Sequence, residues 1–207
     1  MMAMTVPQSC AASPGFADPV SDANAVFRTV LRAMSLPGRI LSLPLALESP
    51  RPLGSAAAAI LLTLVDQDTP VWLDPPCWSE AVGRWLRFHC GCPIAARPER
   101  AAFAVTGQGL GLSRFFPGTL ENPETAATVI VEVDDFGRGD RLLLSGPGID
   151  KNVTLSVAGM ASDFWREIGE NHHLFPQGVD VVLTAGHRLA CLPRSTVIEE
   201  VVPCMSR

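Results

Sequence analysis

The sequence predicts one α/β domain, a mixed sheet covered by helices on at least one face. Three observations carry this reading. Helical patterns crowd the first half as far as His89. Short apolar or alternating runs bounded by Gly, Pro and Asp dominate from Ala102 onward, and one amphipathic helical pattern interrupts them. Helices before and among strands that lack any internal repeat argue for a layered α/β arrangement. A chain of 207 residues fits a single domain with a substantial core. The expected boundaries are a disordered tail over 1–20, one domain over 21–200 and a C-terminal tail over 201–207.

SDANAVFRTVLRAMSLPG opens the ordered part. Phe27, Val30, Leu31 and Met34 fall at helical spacing with Arg28 and Arg32 opposite; Asp22 is the expected N-cap and Pro37-Gly38 the stop. GSAAAAILLTLVD predicts a second helix capped by Ser55, apolar nearly all round and therefore buried. TPVWL, residues 69–73, reads as a short strand. Ser79 caps a third helix carrying Val82, Trp85, Leu86 and Phe88 up to His89-Cys90-Gly91-Cys92-Pro93. Strands are expected over 102–105, 128–133, 141–145 and 153–157. SDFWREIGENHHLF predicts the next helix, with Ser162 or Asp163 as cap, and Phe175-Pro176-Gln177-Gly178 stops it. Strands over 179–184 and 188–192 flank Ala185-Gly186-His187, a tight hairpin signal.

Composition narrows the function classes. A net charge of −5, with no basic run, disfavours nucleic acid, whose binding depends on phosphate neutralisation. The longest apolar run, 56–65, is about half of the ~20 residues that span a bilayer, and the N-terminus lacks the basic and apolar regions of a secretion signal. The expected compartment is the cytoplasm, with six reduced cysteines and no Cys-x-x-Cys.

Candidate chemistry is sparse. Lys151 is the only lysine, just beyond Gly146-Pro147-Gly148. It is the one possible aldimine-forming amine, but Pro147 offers no N–H to a phosphate, and Asp150 favours the protonated amine. Gly107-x-Gly109-x-Gly111 follows a strand, yet the third glycine of a dinucleotide fingerprint belongs one position later, at Leu112. A flexible glycine loop is the better reading. His89, Cys90 and Cys92, with His172-His173, suggest a soft-metal module, although Cys-x-Cys is tighter than the usual zinc spacing. His172 and His173 also suit a helix C-terminus. Asp66 and Asp68, Phe175-Pro176-x-Gly178-x-Asp180 and Leu192-Pro193-Arg194-Ser195-Thr196 sit at loop ends. Turn and cap chemistry explains them, and so does a polar cluster for a phosphorylated ligand or a partner. Trp78, Phe115, Phe116 and Trp165 are aromatic candidates for protein contacts or for the core.

FRTVLRAMSLPGRI, LLTLVDQDTPVWL, LSGPGI, FPQGVDVVL and LPRST, taken in order from Phe27 to Thr196, resemble the PhnH family of the bacterial carbon–phosphorus lyase system. The resemblance implies a fold like the large domain of pyridoxal-phosphate transferases without the cofactor site, so no cofactor and no metal are expected. It implies work with the G, I and L proteins to join a phosphonate to the ribose of ATP. The implied partners are the G, I and J subunits of a core complex, the ATP-binding K and L proteins of the wider system, and a second copy as a homodimer. The family pattern falls on Arg28, Met34, Pro37, Gly38 and Arg39, on Asp66 and Thr69, on 146–149, on Phe175, Pro176, Gly178 and Asp180, and on Pro193, Arg194 and Thr196. Ser195 stands where the family commonly has threonine. The ligand or partner candidates are Arg39, Asp66, Asp68, Gly146, Gly148, Asp180 and Arg194. The rivals are a free-standing pyridoxal-phosphate enzyme using Lys151 and a metal-binding regulatory module on His89, Cys90 and Cys92.

Overall fold

The computed structural model describes residues 14–45, 47–107 and 111–202. Helix α1 spans Pro19–Ser35 and starts inside the segment expected as a tail. Its N-cap is Asp18 rather than Asp22: the Asp18 carboxylate accepts from the amides of Val20 and Ser21, and Asp22 returns the favour by accepting from the Asp18 amide at 3.0 Å. The reciprocal arrangement satisfies orphan donors at both ends of the first turn. Helix α2 (Ser55–Leu64) is buried along most of its length, as its all-round apolar sequence requires. Helix α3 (Glu80–Cys90) takes Ser79 as its cap and ends at Gly91, whose φ of 67° is the left-handed C-terminal stop.

The main sheet contains β1 (Leu41–Ser42), β2 (Val71–Leu73), β3 (Phe103–Thr106), β4 (Thr128–Glu132), β7 (Asp180–Ala185) and β8 (Arg188–Leu192), in the order β1-β8-β7-β4-β3-β2. Strands β2, β3, β4 and β7 run parallel, while β8 is antiparallel to both β7 and β1. A mixed sheet is therefore confirmed. One register row, Trp72-Ala104-Val129-Val181-Leu192, and the next, Leu73-Val105-Ile130-Val182-Cys191, face opposite sides. The second row packs under α1, α2 and α3. The first row packs against α4 (Ser162–His172) and a small antiparallel sheet.

That small sheet is ordered β6-β5-β9, from β5 (Asp135–Ser145), β6 (Val153–Ala158) and β9 (Val197–Val202). Strand β5 begins six residues earlier than its alternation suggests. Asp135-Phe-Gly-Arg-Gly-Asp reads as a loop, but a bulge absorbs it: the register shifts between Phe136 and Asp140, with Gly137 and Gly139 both at positive φ. Strand β9 has no counterpart in the sequence reading and extends to Val202, into the expected C-terminal tail.

One burial expectation needs correction. Helix α1 buries Val26, Val30 and Ala33 and leaves Phe27 and Leu31 exposed. Phe115 and Trp165 are core residues, whereas Trp78 and Phe116 are exposed. The Trp165 indole Nε1 donates to Asp140 at 2.9 Å, which is how a buried indole satisfies its one donor.

Candidate functional site

Four of the five sequence motifs meet at one place. Beyond α1, Gly38 donates its N–H to the Cys191 carbonyl at 3.0 Å, and its φ of 75° excludes a side chain. A Cβ there would sit 2.6 Å from Val153. Gly148, at φ 82°, is pressed against the Ser35 carbonyl, and Gly146, at φ 123°, against that of Ser195. These glycines are the contact points at which the loop after β5 docks onto the exit of α1 and onto the turn after β8.

Asp180 opens β7 and Arg194 follows β8, and the hairpin brings them together. The Asp180 Oδ1 accepts from the Arg194 amide at 2.9 Å and from Nε at 3.1 Å; Oδ2 accepts from Nη2 at 2.6 Å. Arg194 Nη1 also donates to the Pro123 carbonyl. Its own carbonyl lies 3.1 Å from His172 Nδ1. Next to this clamp, the Asn171 side chain exchanges two bonds with the Val179 backbone, at 2.8 and 2.9 Å. Asp180 and Arg194 are thus saturated by one another and by backbone, which is the joint-forming reading of these positions.

Asp66 and Asp68 lie elsewhere, in the turn leading to β2. Asp66 Oδ1 accepts from the Asp68 amide at 3.0 Å and the Thr69 hydroxyl at 2.6 Å, and these bonds hold its carboxyl below the usual range. That is turn chemistry. Arg39 is exposed. Lys151 is exposed at φ 65°, in the turn between β5 and β6. A solvated lysine in the small sheet does not fit the aldimine role. Gly107 and Gly111 are described; Gly109 of the same loop lies outside the described residues, as do Cys10 and Cys204. Among the described residues no three side chains of metal-binding type come together.

The carboxyl edge of the parallel strands is the place sequence reasoning did not single out. The connection from β2 to β3 passes through α3 on one face, and that from β3 to β4 passes Leu112 and Phe115 on the other. Consecutive connections leaving on opposite faces open a crevice outside the strand ends. A cleft of about 560 Å³ lies at the end and outer edge of β2, and its lining includes Trp72, Pro75, Trp78, Arg97, Glu99 and Arg114. Trp78 packs closely on α3 because position 83 is glycine: any Cβ there would strike the indole. Asp74, at the end of β2, has its carboxyl raised by burial, with Arg114 partly offsetting it. Further in, burial pushes the Glu132 carboxyl up while the Gly54 amide, at the start of α2, donates to it. Burial and the Glu132 and Asp74 charges push the Cys77 thiol up to about 12, so it is no ready nucleophile.

The model of the bacterial phosphonate metabolism protein (PhnH) matches residues 14–199. The chain belongs to the PhnH family. A curated PhnH from Rhizobium meliloti (strain 1021), the alpha-D-ribose 1-methylphosphonate 5-triphosphate synthase subunit, is 38% identical over 195 residues, covering 93% of this chain and 98% of that one. The putative C-P lyase subunit protein HtxG of Stutzerimonas stutzeri is 36% identical over 174 residues, 83% of each chain. In this chain four of the five family motifs build the joint between the two sheets and α1. The signal that points to the cleft, two tryptophans and two arginines scattered from Trp72 to Arg114, has no fixed spacing in the sequence.

Proposed function

We propose that this chain is a subunit of the carbon–phosphorus lyase assembly, required with the G, I and L proteins to transfer the ribose triphosphate of ATP to an alkylphosphonate with loss of adenine. It has no independent catalysis on this reading. It works in the cytoplasm with the G, I and J subunits, with K and L in the wider system, and forms a homodimer by itself. The scaffold is that of the large domain of pyridoxal-phosphate transferases with the coenzyme site gone.

The observation that carries the reading is near full-length similarity to a synthase subunit. The geometry supports it: the motif residues Asp180 and Arg194 are engaged in a joint, and the carboxyl edge offers a cleft. Guanidiniums at Arg97 and Arg114 suit a phosphonate or phosphate oxyanion, and the Trp78 face suits an apolar or planar group. The test is reconstitution with ATP and methylphosphonate, following adenine release. The chain alone releases none, and the mixture of G, I and L releases adenine only when the chain is added. Turnover by the chain alone, or equal turnover without it, would overturn the proposal.

A further inference from the structure

Helix α1 has two apolar faces, and only one of them is fully used by the fold. Val26, Val30 and Ala33 are buried against the body. A second seam, Val20, Ala23, Phe27, Leu31 and Met34, recurs at spacings of three, four, four and three residues. Val20 is 81% exposed, Phe27 47% and Leu31 58%, while Ala23 and Met34 are half-buried, Met34 where the seam meets the core. Spacings of three and four keep these side chains on one face, along which the ridges of a second helix can pack. Single exposed apolar residues are ordinary, but three large ones on one seam are not.

Charge around the seam restricts the occupant. Arg28 and Arg32 are exposed on its solvent flank, and Arg39 is exposed just beyond the helix, in a chain of net charge −5. The helix's carboxylates, Asp18 and Asp22, sit in the first turn and are occupied with the N-cap. A second copy laid antiparallel about Phe27 is disfavoured by charge. Phe27 is the mid-point of the seam, and Arg28 lies about 100° further round the helix. A two-fold axis through Phe27 would set Arg28 beside its own copy, a like-charge juxtaposition.

We propose that this seam docks an amphipathic helix of a different subunit of the assembly, one whose apolar ridge is rimmed by carboxylates. The inference rests on the subunit reading and adds the surface by which the chain joins. The test is titration of purified chain against a tagged, co-expressed assembly of the G, I and J proteins. The F27E/L31E variant weakens capture at least tenfold. R28E/R32E, which alters only exposed positions, weakens it several-fold and flattens its salt dependence. F88E, at a still more exposed phenylalanine on α3 outside the seam, binds as the unaltered chain does. Circular dichroism and thermal melting confirm that each variant is folded. Unchanged capture of folded F27E/L31E and R28E/R32E overturns the proposal. So does intact capture with loss of self-association, which assigns the seam to a second copy. Failure to capture the unaltered chain overturns the subunit reading itself and the seam with it.

Discussion

Arg194 grips Asp180 with three donors, its backbone amide and two guanidinium nitrogens, and so ties the entry of β7 to the exit of β8. Both side chains are less than one-fifth exposed. Removing one partner leaves a largely buried charge without its counter-ion, and that cost exceeds the net worth of the pair. R194A is expected to destabilise by about 2–4 kcal/mol in urea unfolding, and R194K by more than half of that, because an ammonium cannot reproduce the fork. The double variant R194A/D180A loses less than the sum of the single losses. A loss below about 0.5 kcal/mol for R194A would show that the clamp is not structural.

Gly148 and Gly137 are both at positive φ, yet only Gly148 faces backbone, that of Ser35; nothing lies near Gly137. G137A costs about 1 kcal/mol, the conformational penalty alone. G148A adds a backbone collision to it, costs more than about 2 kcal/mol and disturbs the packing of α1 against the loop. Comparison of urea midpoints checks the order.

Lys151 holds a left-handed conformation that glycine adopts freely. K151G is therefore expected to leave stability unchanged or raise it by up to about 1 kcal/mol, the relief of strain offsetting the added freedom of the unfolded chain. Reconstituted adenine release is unaffected. Borohydride trapping after addition of pyridoxal phosphate labels no site at residue 151; labelling there, with activity lost in K151G, would revive the coenzyme reading.

Much of this architecture is legible in the sequence wherever period and punctuation agree. The Ser55 to Leu64 helix, the Ser79 cap and the Ala185-Gly186-His187 turn behave as their residues dictate, although Gly54 rather than Ser55 is the N-cap of that helix and the Ser55 hydroxyl accepts from the Leu47 amide. The misreadings have physical causes. Apolar residues on two adjacent faces of α1 fall within one helical period, so spacing alone merges Phe27 and Leu31 with Val30. The bulge in β5 hides in glycines that punctuate loops as readily as strands. The clamp between Asp180 and Arg194 requires a hairpin register, and the cleft requires two crossovers to leave on opposite faces. Neither is written in local spacing.

Glu132 is half-buried, and burial raises its carboxyl above the ordinary glutamate range despite the bond from Gly54. A raised carboxyl favours the folded state in its neutral form. That contribution is complete below the unfolded value near 4.5 and is lost as pH rises through the folded value. E132Q keeps an acceptor for the Gly54 amide and removes the desolvated charge. It is expected to match the unaltered protein near pH 4 and to become relatively more stable toward pH 7.5, by about 1 kcal/mol. Urea unfolding at the two pH values measures the difference, and a relative stability that falls with pH would contradict the buried-charge account.

The cleft beside β2 supplies the last expectation. Arg97 and Arg114 are exposed in its lining, while Trp78 is 40% exposed and packs against Gly83. If the pocket takes an oxyanion, the guanidiniums contribute through charge and through paired donors, whereas Trp78 contributes contact area. In the reconstituted assay R114A and R97A should raise the concentration of phosphonate or ATP needed for half-maximal adenine release by about tenfold each, which is about 1.4 kcal/mol per lost contact. R114K should recover part of this, since it restores charge but not the fork. G83A, which dislodges the indole without removing a charge, should raise the same concentration while leaving its salt dependence unchanged. R114A and R97A flatten that dependence, because each removes a cation that attracts the anion. Assays over a range of ionic strength separate the two. If R97A and R114A shift neither the half-maximal concentration nor its response to salt, the oxyanion does not bind between these arginines.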